Sequence, residues 1–294
     1  MDNRKRIPRK QHVVPQFLLR EWAFNKRRSQ LWVYDKSTGR SRIQSIRDTA
    51  VQSDYYEVLV ESGAMETLLA TVESSASLAI KQIRNEHSLR SLDSVNIHNT
   101  ALFLAIQSIR TPSFFSTTQR VLEKDAASVL IPRRTTPLLT SPKYINSAAA
   151  LIRKRLWTLR MSPTGKEYIL SDHPIGFQKY GNVVIRGFRD TFRDATIHLP
   201  ISPIHCLLLF PKPRQLIPGT RRINDSVVLD EVQESTSMEI DQMNTHQVVI
   251  SNRFVFDRRG ESAFIDECLN DNPIARCGPL TTDIGAVTWT TPRQ

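Results

Sequence analysis

His12 stands before a proline-containing apolar block, His12-Val-Val-Pro15-Gln16-Phe17-Leu18-Leu19. An imidazole titrates near neutral pH, so His12 has the chemistry of a general base or a metal ligand. The competing reading is a capping or core histidine bonded to backbone. Gln16, four residues on, shares its face if the segment is helical, and an amide there suits holding a phosphate, a water or a base edge. Glu66 and Glu73 are seven residues apart, on one helical face beside the Leu69/Ile80 edge of an apolar stripe. Two carboxylates so placed could hold a divalent cation, or form a solvated edge paired with Arg or Lys. Gln107 and Arg110 share a face with Phe103 and Phe114, next to a Leu102/Ile106/Ile109 stripe. A guanidinium buried on such a face needs a carboxylate or a phosphate partner. Glu66 or Glu73 on the preceding helix would serve, and so would a bound phosphate. Asp172 and His173 occupy a turn before Pro174. Aspartate there commonly bonds its own backbone; in a shared site it would instead be a catalytic carboxylate or metal ligand.

The elements that must position these groups can be read from periodicity. Val13–Ala23 reads as a short helix entered through Pro15. Leu31–Tyr34 and Tyr55–Val60 read as strands. Residues 63–84 carry Met65, Leu68, Leu69, Val72, Ala76, Ala79, Ile80 and Ile83 at 3.6 spacing and predict a helix. A second helix runs over 92–110 and stops at Thr111-Pro112. A third is expected over 117–130, then a polar, proline-containing linker over 131–142 and a helix over 144–156. From Trp157 short β-like runs dominate: 157–161, 168–170, 197–201 and 206–210. Residues 227–249 read as helix, with an acidic stretch from Asp230 to Asp241, and 253–256 as strand. Helices bunched in the middle and flanked by strands predict an α+β fold, central helices packed with a mostly antiparallel sheet. The domain reading is a basic arm over 1–11, a single α+β domain over 12–270 (helical part 63–156, strand-rich part 157–256) and an irregular tail over 271–294.

At this resolution the chain resembles a bacterial and fungal family, domain of unknown function 4238. That family opens with a His-x-x-Pro-x-x-(Tyr/Leu)-Leu block, matched by His12 to Leu19. Its aromatic strand ending in an acidic-basic pair is matched by Trp32-Val-Tyr34-Asp35-Lys36, and its Glu-bearing helix is similar to the stretch with Glu66 and Glu73. Gln107-Ser-Ile-Arg110-Thr111-Pro112, Ser171-Asp172-His173-Pro174 and Pro200-Ile-Ser-Pro203 match three further blocks, and Asn244 matches a late helical asparagine. The motifs keep their order over roughly residues 10–256. The family often has a histidine just before the one matched to His12; here Gln11 stands there, which counts against a mechanism needing two adjacent imidazoles. The resemblance implies that His12, Gln16, Glu66, Glu73, Gln107, Arg110, Asp172, His173 and Asn244 form one shared site. It implies no chemistry, because the family has no established activity.

Several function classes are set aside by what is missing. There is no G-x-G-x-x-G, no G-x-x-x-x-G-K-[ST], no G-x-S-x-G and no H-E-x-x-H. Arg193 to His198 fits an R-x4-H pattern, but it falls where a loop enters a strand. No apolar run, Cys206 to Phe210 included, approaches the ~20 residues that span a bilayer. Three scattered cysteines, Cys206, Cys268 and Cys277, form no C-x-x-C and read as free thiols, which with no secretory signal gives a cytoplasmic expectation. The formal net charge is +11 and alternates along the chain: +9 over 1–49, −3 over 50–119, +12 over 120–222 and −7 over 223–294. Such blocks either present a polyanion-binding face or neutralise each other in the fold.

Two functional readings remain. One is a hydrolase or transferase acting on a phosphate-containing substrate, nucleic acid among the candidates, with His12 and Asp172 catalytic, Gln16, Gln107, Arg110, His173 and Asn244 binding substrate, and Glu66 and Glu73 holding a divalent metal. The other is a non-catalytic ligand- or partner-binding module with a buried polar network. The partner expectation is weak, non-specific nucleic-acid binding and no membrane. Under the shared-site reading, His12, Gln107, Arg110 and Asp172 should meet at least one of Glu66 and Glu73 within about 12 Å, some two hydrogen-bond steps.

Overall fold

The computed structural model describes residues 10–53, 64–111, 142–163, 165–178 and 192–279. Over these the protein is α+β. Strand β1 (Lys10–His12) leads through Pro15 into α1 (Gln16–Leu19) and a 3-10 turn, Arg20–Trp22. The hairpin β2 (Gln30–Asp35) and β3 (Arg40–Ser45) follows, and β4 (Val51–Ser53) pairs antiparallel with β1. Helices α2 (Ala64–Glu86) and α3 (Ser94–Ile109) pack on each other, and α4 (Pro142–Arg153) packs on α3. The apolar stripe read from the sequence is the buried face of α2: Leu69, Val72, Ala76, Ala79, Ile80 and Ile83 are buried, while Leu68 is left exposed. Asp93 starts α3 by accepting the Asn96 amide at 2.7 Å, a side-chain cap.

The strand-rich half contains β5 (Leu156–Met161), β6 (Leu170–Ser171), β7 (Gly176–Gln178), β8 (Thr196–Ser202), β9 (His205–Phe210), β10 (Thr220–Ile223), β11 (Ser226–Leu229) and β12 (Gln233–Glu234). Helix α5 (Ser237–Ile250), β13 (Phe254–Asp257) and α6 (Ala263–Asp271) complete it, with a 3-10 turn over Pro273–Cys277. One sheet runs β10-β11-β5-β9-β8-β7, with β12 also paired to β5; a second runs β3-β2-β13-β6. Pairing is antiparallel except where β11 and β12 lie parallel to β5.

Alternation along the central strands decides which helices cover which face. Trp157, Leu159, Ile197, Leu199, Leu207 and Leu209 join the core that α2, α3 and α4 complete. Cys206 and Leu208 point the other way and pack against Ile240 and Met243 of α5. The second sheet buries Tyr34 and Val255 against Val248 and Val249 of α5 and Ile265 and Leu269 of α6.

Three expectations need correction. The helix read over 227–249 begins only at Ser237, where Thr236 and Glu239 form a capping box. Ahead of it, Val227 and Val228 of Ser226–Leu229 are β-branched, and Asn224 in the left-handed region (φ 53°) closes the β10–β11 hairpin, so this run is strand. The acidic stretch from Asp230 to Asp241 is therefore helical only in its second half. Residues 271–277 are not irregular: α6 ends at Asp271 and a 3-10 turn follows. The basic arm up to residue 9, the strand at 55–60, the helix at 117–130, the linker up to 141 and the tail from 280 lie outside the described residues.

Between sheet and helix lies a pair of buried imidazoles. His198 of β8 bonds His246 of α5 through Nε2 and Nδ1, with ring centroids 4.7 Å apart. His198 reaches it by folding over Gly176, its register partner on β7; a Cβ at Gly176 would fall 1.9 Å from Nε2, so only glycine leaves room. Burial pushes His198 down to about 3 and the neighbouring His173 down to about 4, and holds His246 well below the usual imidazole range. All three stay neutral in the fold, whereas an unfolded chain protonates them near pH 6.5. Stability present above that pH is therefore lost as pH falls from about 6.5 toward the folded values, at about 1.4 kcal/mol per pH unit for each proton taken up. Thermal melts should show the midpoint falling from pH 7 to pH 5, with a shallower fall in His198→Asn. A midpoint equally insensitive to pH in both proteins would mean that the rings protonate without unfolding.

Candidate functional site

Arg110 is the C-cap of α3. Its guanidinium, 2 % exposed, makes an ion pair with Glu73 of α2 and donates through Nη2 to the His12 carbonyl at 2.6 Å. One turn earlier, Gln107 donates from Nε2 to the Val13 carbonyl at 2.7 Å. Val13 and Val14 are buried in an extended segment whose carbonyls need donors, and two side chains of one helix face supply them. Gln107 Oε1 is buried with no donor among the described residues. The His12 ring donates from Nε2 to the Ile46 carbonyl at 3.3 Å, leaving Nδ1 as its basic nitrogen, and burial lowers its pKa.

Glu73 and Arg110 are thus brought together, with Gln107 alongside and His12 joined through its backbone carbonyl. Glu66 lies in α2, but its side chain is outside the described residues, and with it the Glu66–Glu73 metal pair. No group of three or more His, Cys, Asp or Glu among the described residues could hold a metal ion. Gln16 accepts from Arg20 at 3.1 Å on the surface, an i,i+4 pair that does not reach the cluster.

The bonds of Asp172 go to a different segment. Its carboxylate accepts the amides of Asn252, Arg253 and Phe254 at 2.7–3.0 Å, and so caps the turn from α5 into β13. Burial raises its pKa while these bonds and the nearby Lys36 ammonium lower it. Lys36 is 1 % exposed and donates to the carbonyls of Ser251 (2.6 Å) and Val248 (3.2 Å) at the end of α5; burial pulls it down to about 8. His173 lies beside the buried imidazole pair. Asn244 of α5 holds residues 167–169, accepting the Ile169 amide at 3.0 Å and donating to the Glu167 carbonyl at 2.9 Å.

Asn244 also lines a cleft of about 410 Å³ between the 165–169 segment, α5, the end of β13 and the start of α6. Lys166, Glu167, Asp241, Asp257, Arg259 and Glu261 supply its charges, Ile169 and Phe264 its apolar wall. Lys166 pairs with Asp241 at 2.5 Å; Arg258 and Arg259 share Glu167 at 2.6 and 3.3 Å. Asp257, 7 % exposed, accepts the amides of Arg259 (2.7 Å) and Gly260 through Oδ1, whereas its Oδ2 is buried with no donor among the described residues. Burial raises its pKa. Apart from Asn244, the sequence reading missed this cleft. The available signal was Asp257-Arg-Arg-Gly260, an aspartate-to-glycine turn closing a strand.

The Arg110 joint makes a stability prediction. Arg110→Ala removes the ion pair and the donor to His12 while emptying a packed site. Glu73 keeps 27 % of its side-chain surface and can partly resolvate, so the expected cost is about 2–3 kcal/mol, below the range for a fully buried pair. Arg110→Lys should recover little, since one ammonium cannot reproduce the planar two-sided donor. Denaturant unfolding midpoints measure both; wild-type stability in Arg110→Ala would show that the joint anchors nothing.

No curated protein and no solved structure matches the chain. One family model does, described as a protein of unknown function (DUF4238), and it covers residues 10–261, which hold every element from β1 to β13. The chain, with its His12, Arg110 and Asp172 joints, belongs to that DUF4238 family.

Proposed function

We propose that the chain is a non-catalytic ligand-binding module whose site is the cleft lined by Asn244 and Asp257. The observation that carries this reading is the commitment of Arg110. A hydrolase or transferase for phosphate-containing substrates would use it to stabilise charge on the substrate, but its guanidinium is already engaged by Glu73 and the His12 carbonyl. Asp172, the other catalytic candidate, is taken up by three backbone amides. The Asn244–Asp257 cleft instead combines a half-open volume, an apolar wall and several polar and charged side chains, the usual make-up of a small-molecule site. Free Cys206 and Cys268, both buried, fit a reducing compartment such as the cytoplasm.

Titrating isotopically labelled protein with mixtures of small metabolites tests this. Amide resonances of Lys166–Ile169 and Asp257–Ile265 should shift and saturate with at least one mixture. Turnover of a phosphate ester by the wild type, lost in His12→Ala, would instead establish the enzyme reading.

A second reading concerns a polyanion. Lys26, Arg27, Arg28, Arg40, Arg42 and Arg47 are exposed around the β2–β3 hairpin, and β3 is an edge strand. Of these, Arg28 pairs with Glu21 and Arg42 lies 3.6 Å from Asp35. Trp22 is buried and Trp32 half-buried, so among the described residues around this hairpin few rings are free to stack on bases. We propose weak electrostatic binding of nucleic acid without sequence preference. An oligonucleotide should be retained at low salt and released at moderate salt, because counterion release drives such binding. No retention at low salt would sink this reading.

A further inference from the structure

We propose that β3 is a docking edge for an acidic, extended peptide of a partner protein, which adds to the sheet as an antiparallel strand with carboxylates on Arg40 and Arg42 and an apolar side chain on Ile43. This goes beyond both the cleft and non-specific polyanion binding, because it assigns a backbone partner and an order of side chains.

The backbone row comes first. β3 ends the β3-β2-β13-β6 sheet, and no described strand pairs with its outer side. The Ile46 amide donates to the Ser29 carbonyl at 2.9 Å, and the Lys36 amide to the Arg253 carbonyl at 3.0 Å. Carried along the two registers, both bonds turn the backbone groups of Leu31, Val33 and Asp35 toward β3, and those of Arg40, Arg42 and Gln44 toward β2. The N–H and C=O groups of Ser41 and Ile43 therefore point away from the sheet, as a row able to bond a further strand. The row is short, because the next outward carbonyl, that of Ser45, already accepts the Thr49 hydroxyl at 2.8 Å.

Side chains then alternate across that row. On one face Arg40 and Arg42 are exposed, and the Arg42 guanidinium lies 5.5 Å from the centre of the Phe254 ring, with that of Arg253 at 5.0 Å. One buried carboxylate, Asp35, pairs with Arg253 at 2.7 Å and lies 3.6 Å from Arg42. Arg40 adds a further cation, so positive charge is in excess on this face. On the other face Ile43 is 47 % exposed beside its register partner Trp32, and Phe24, 42 % exposed, has its ring 6.2 Å from that of Trp32. A nucleic acid would use only the cationic face. A second copy of β3 would bring two arginine-bearing edges together, which like charge opposes. A strand alternating carboxylates with apolar side chains satisfies both faces and the backbone row at once.

Fluorescence anisotropy of labelled peptides with the full-length protein tests this. The probe is Glu-Val-Glu-Val-Glu-amide, labelled at its N-terminus. One control is Val-Val-Glu-Glu-Glu-amide, equal in composition and charge; the other is the probe N-methylated at both valines. Set antiparallel on β3, the probe places its valines opposite Ile43 and Ser41, with their N–H groups toward the edge. It should bind at least tenfold more tightly than either control. Affinity should fall at least fivefold in the Arg40→Ala, Arg42→Ala double variant. Ser41→Pro removes an outward N–H and leaves the β2–β3 ladder its bonds, so it should weaken binding as much; the N-methylated probe reads the same bonds on the wild type if that variant fails to fold. Equal binding of the probe and its reordered control overturns the proposal and leaves charge alone at this surface, which is the polyanion reading. Binding indifferent to N-methylation overturns strand addition. A wild-type dimer in sedimentation that Ser41→Pro dissolves assigns the edge to a second copy and overturns the acidic partner. No binding of the probe overturns the proposal, whatever metabolites do at the cleft.

Discussion

An ammonium buried under the end of a helix holds this architecture together. Lys36 donates to the last carbonyls of α5, and the Asp172 carboxylate gathers the three amides that follow. A helix C-terminus leaves acceptors unmet, and the next turn leaves donors unmet; one cation and one anion from distant parts of the chain meet both needs. Asp35, adjacent to Lys36, pairs with Arg253 at 2.7 Å and fixes the same turn from its solvent side, where the Arg253 side chain is half exposed. From that turn β13 runs four residues to Asp257, so the position of the Asn244–Asp257 cleft depends on the joint.

Arg110 repeats the solution at the end of α3. It also caps a helix, and its cation also lies near a helix C-terminus, where the dipole favours it. Both cations are almost wholly buried and spend their donors on backbone carbonyls from remote segments. The polar residues of the family motifs therefore act chiefly as fasteners: Gln107 and Arg110 for residues 12–13, Lys36 and Asp172 for the α5–β13 turn, Asn244 for residues 167–169.

The helices α2 and α3 were legible because their burial is one-sided, and one-sided burial leaves a 3.6-residue stripe. The Arg110–Glu73 pair was legible for the same reason, since a guanidinium on an apolar face predicts a carboxylate on the facing helix. Strand β3 was not, because Arg40-Ser-Arg-Ile-Gln-Ser45 lies at a sheet edge with little buried, and no alternation survives there. Residues 227–229 read as helix because a short apolar run suits a buried strand and a helix equally; the left-handed Asn224 decides the matter, and its conformation is not visible in composition. The place of Asp172 was hidden by distance. Its three donors lie about eighty residues away, and a turn aspartate looks the same whether it caps its own turn or another.

The pairing of β5 bears on how the chain is made. Its first residues pair with β11 and its last with β12, both parallel and some seventy residues downstream, while β9 covers its other edge. During synthesis from the N-terminus, β8 and β9 emerge as a tight antiparallel hairpin and can seat β5 on one side at once. The other edge stays open until residue 234 has left the ribosome. An apolar strand with an unpaired edge is the template on which chains add to each other. The interval between residues 161 and 234 is therefore the stage of biogenesis most exposed to association between nascent chains and most suited to a chaperone. Truncation just before β11 would prolong that interval indefinitely.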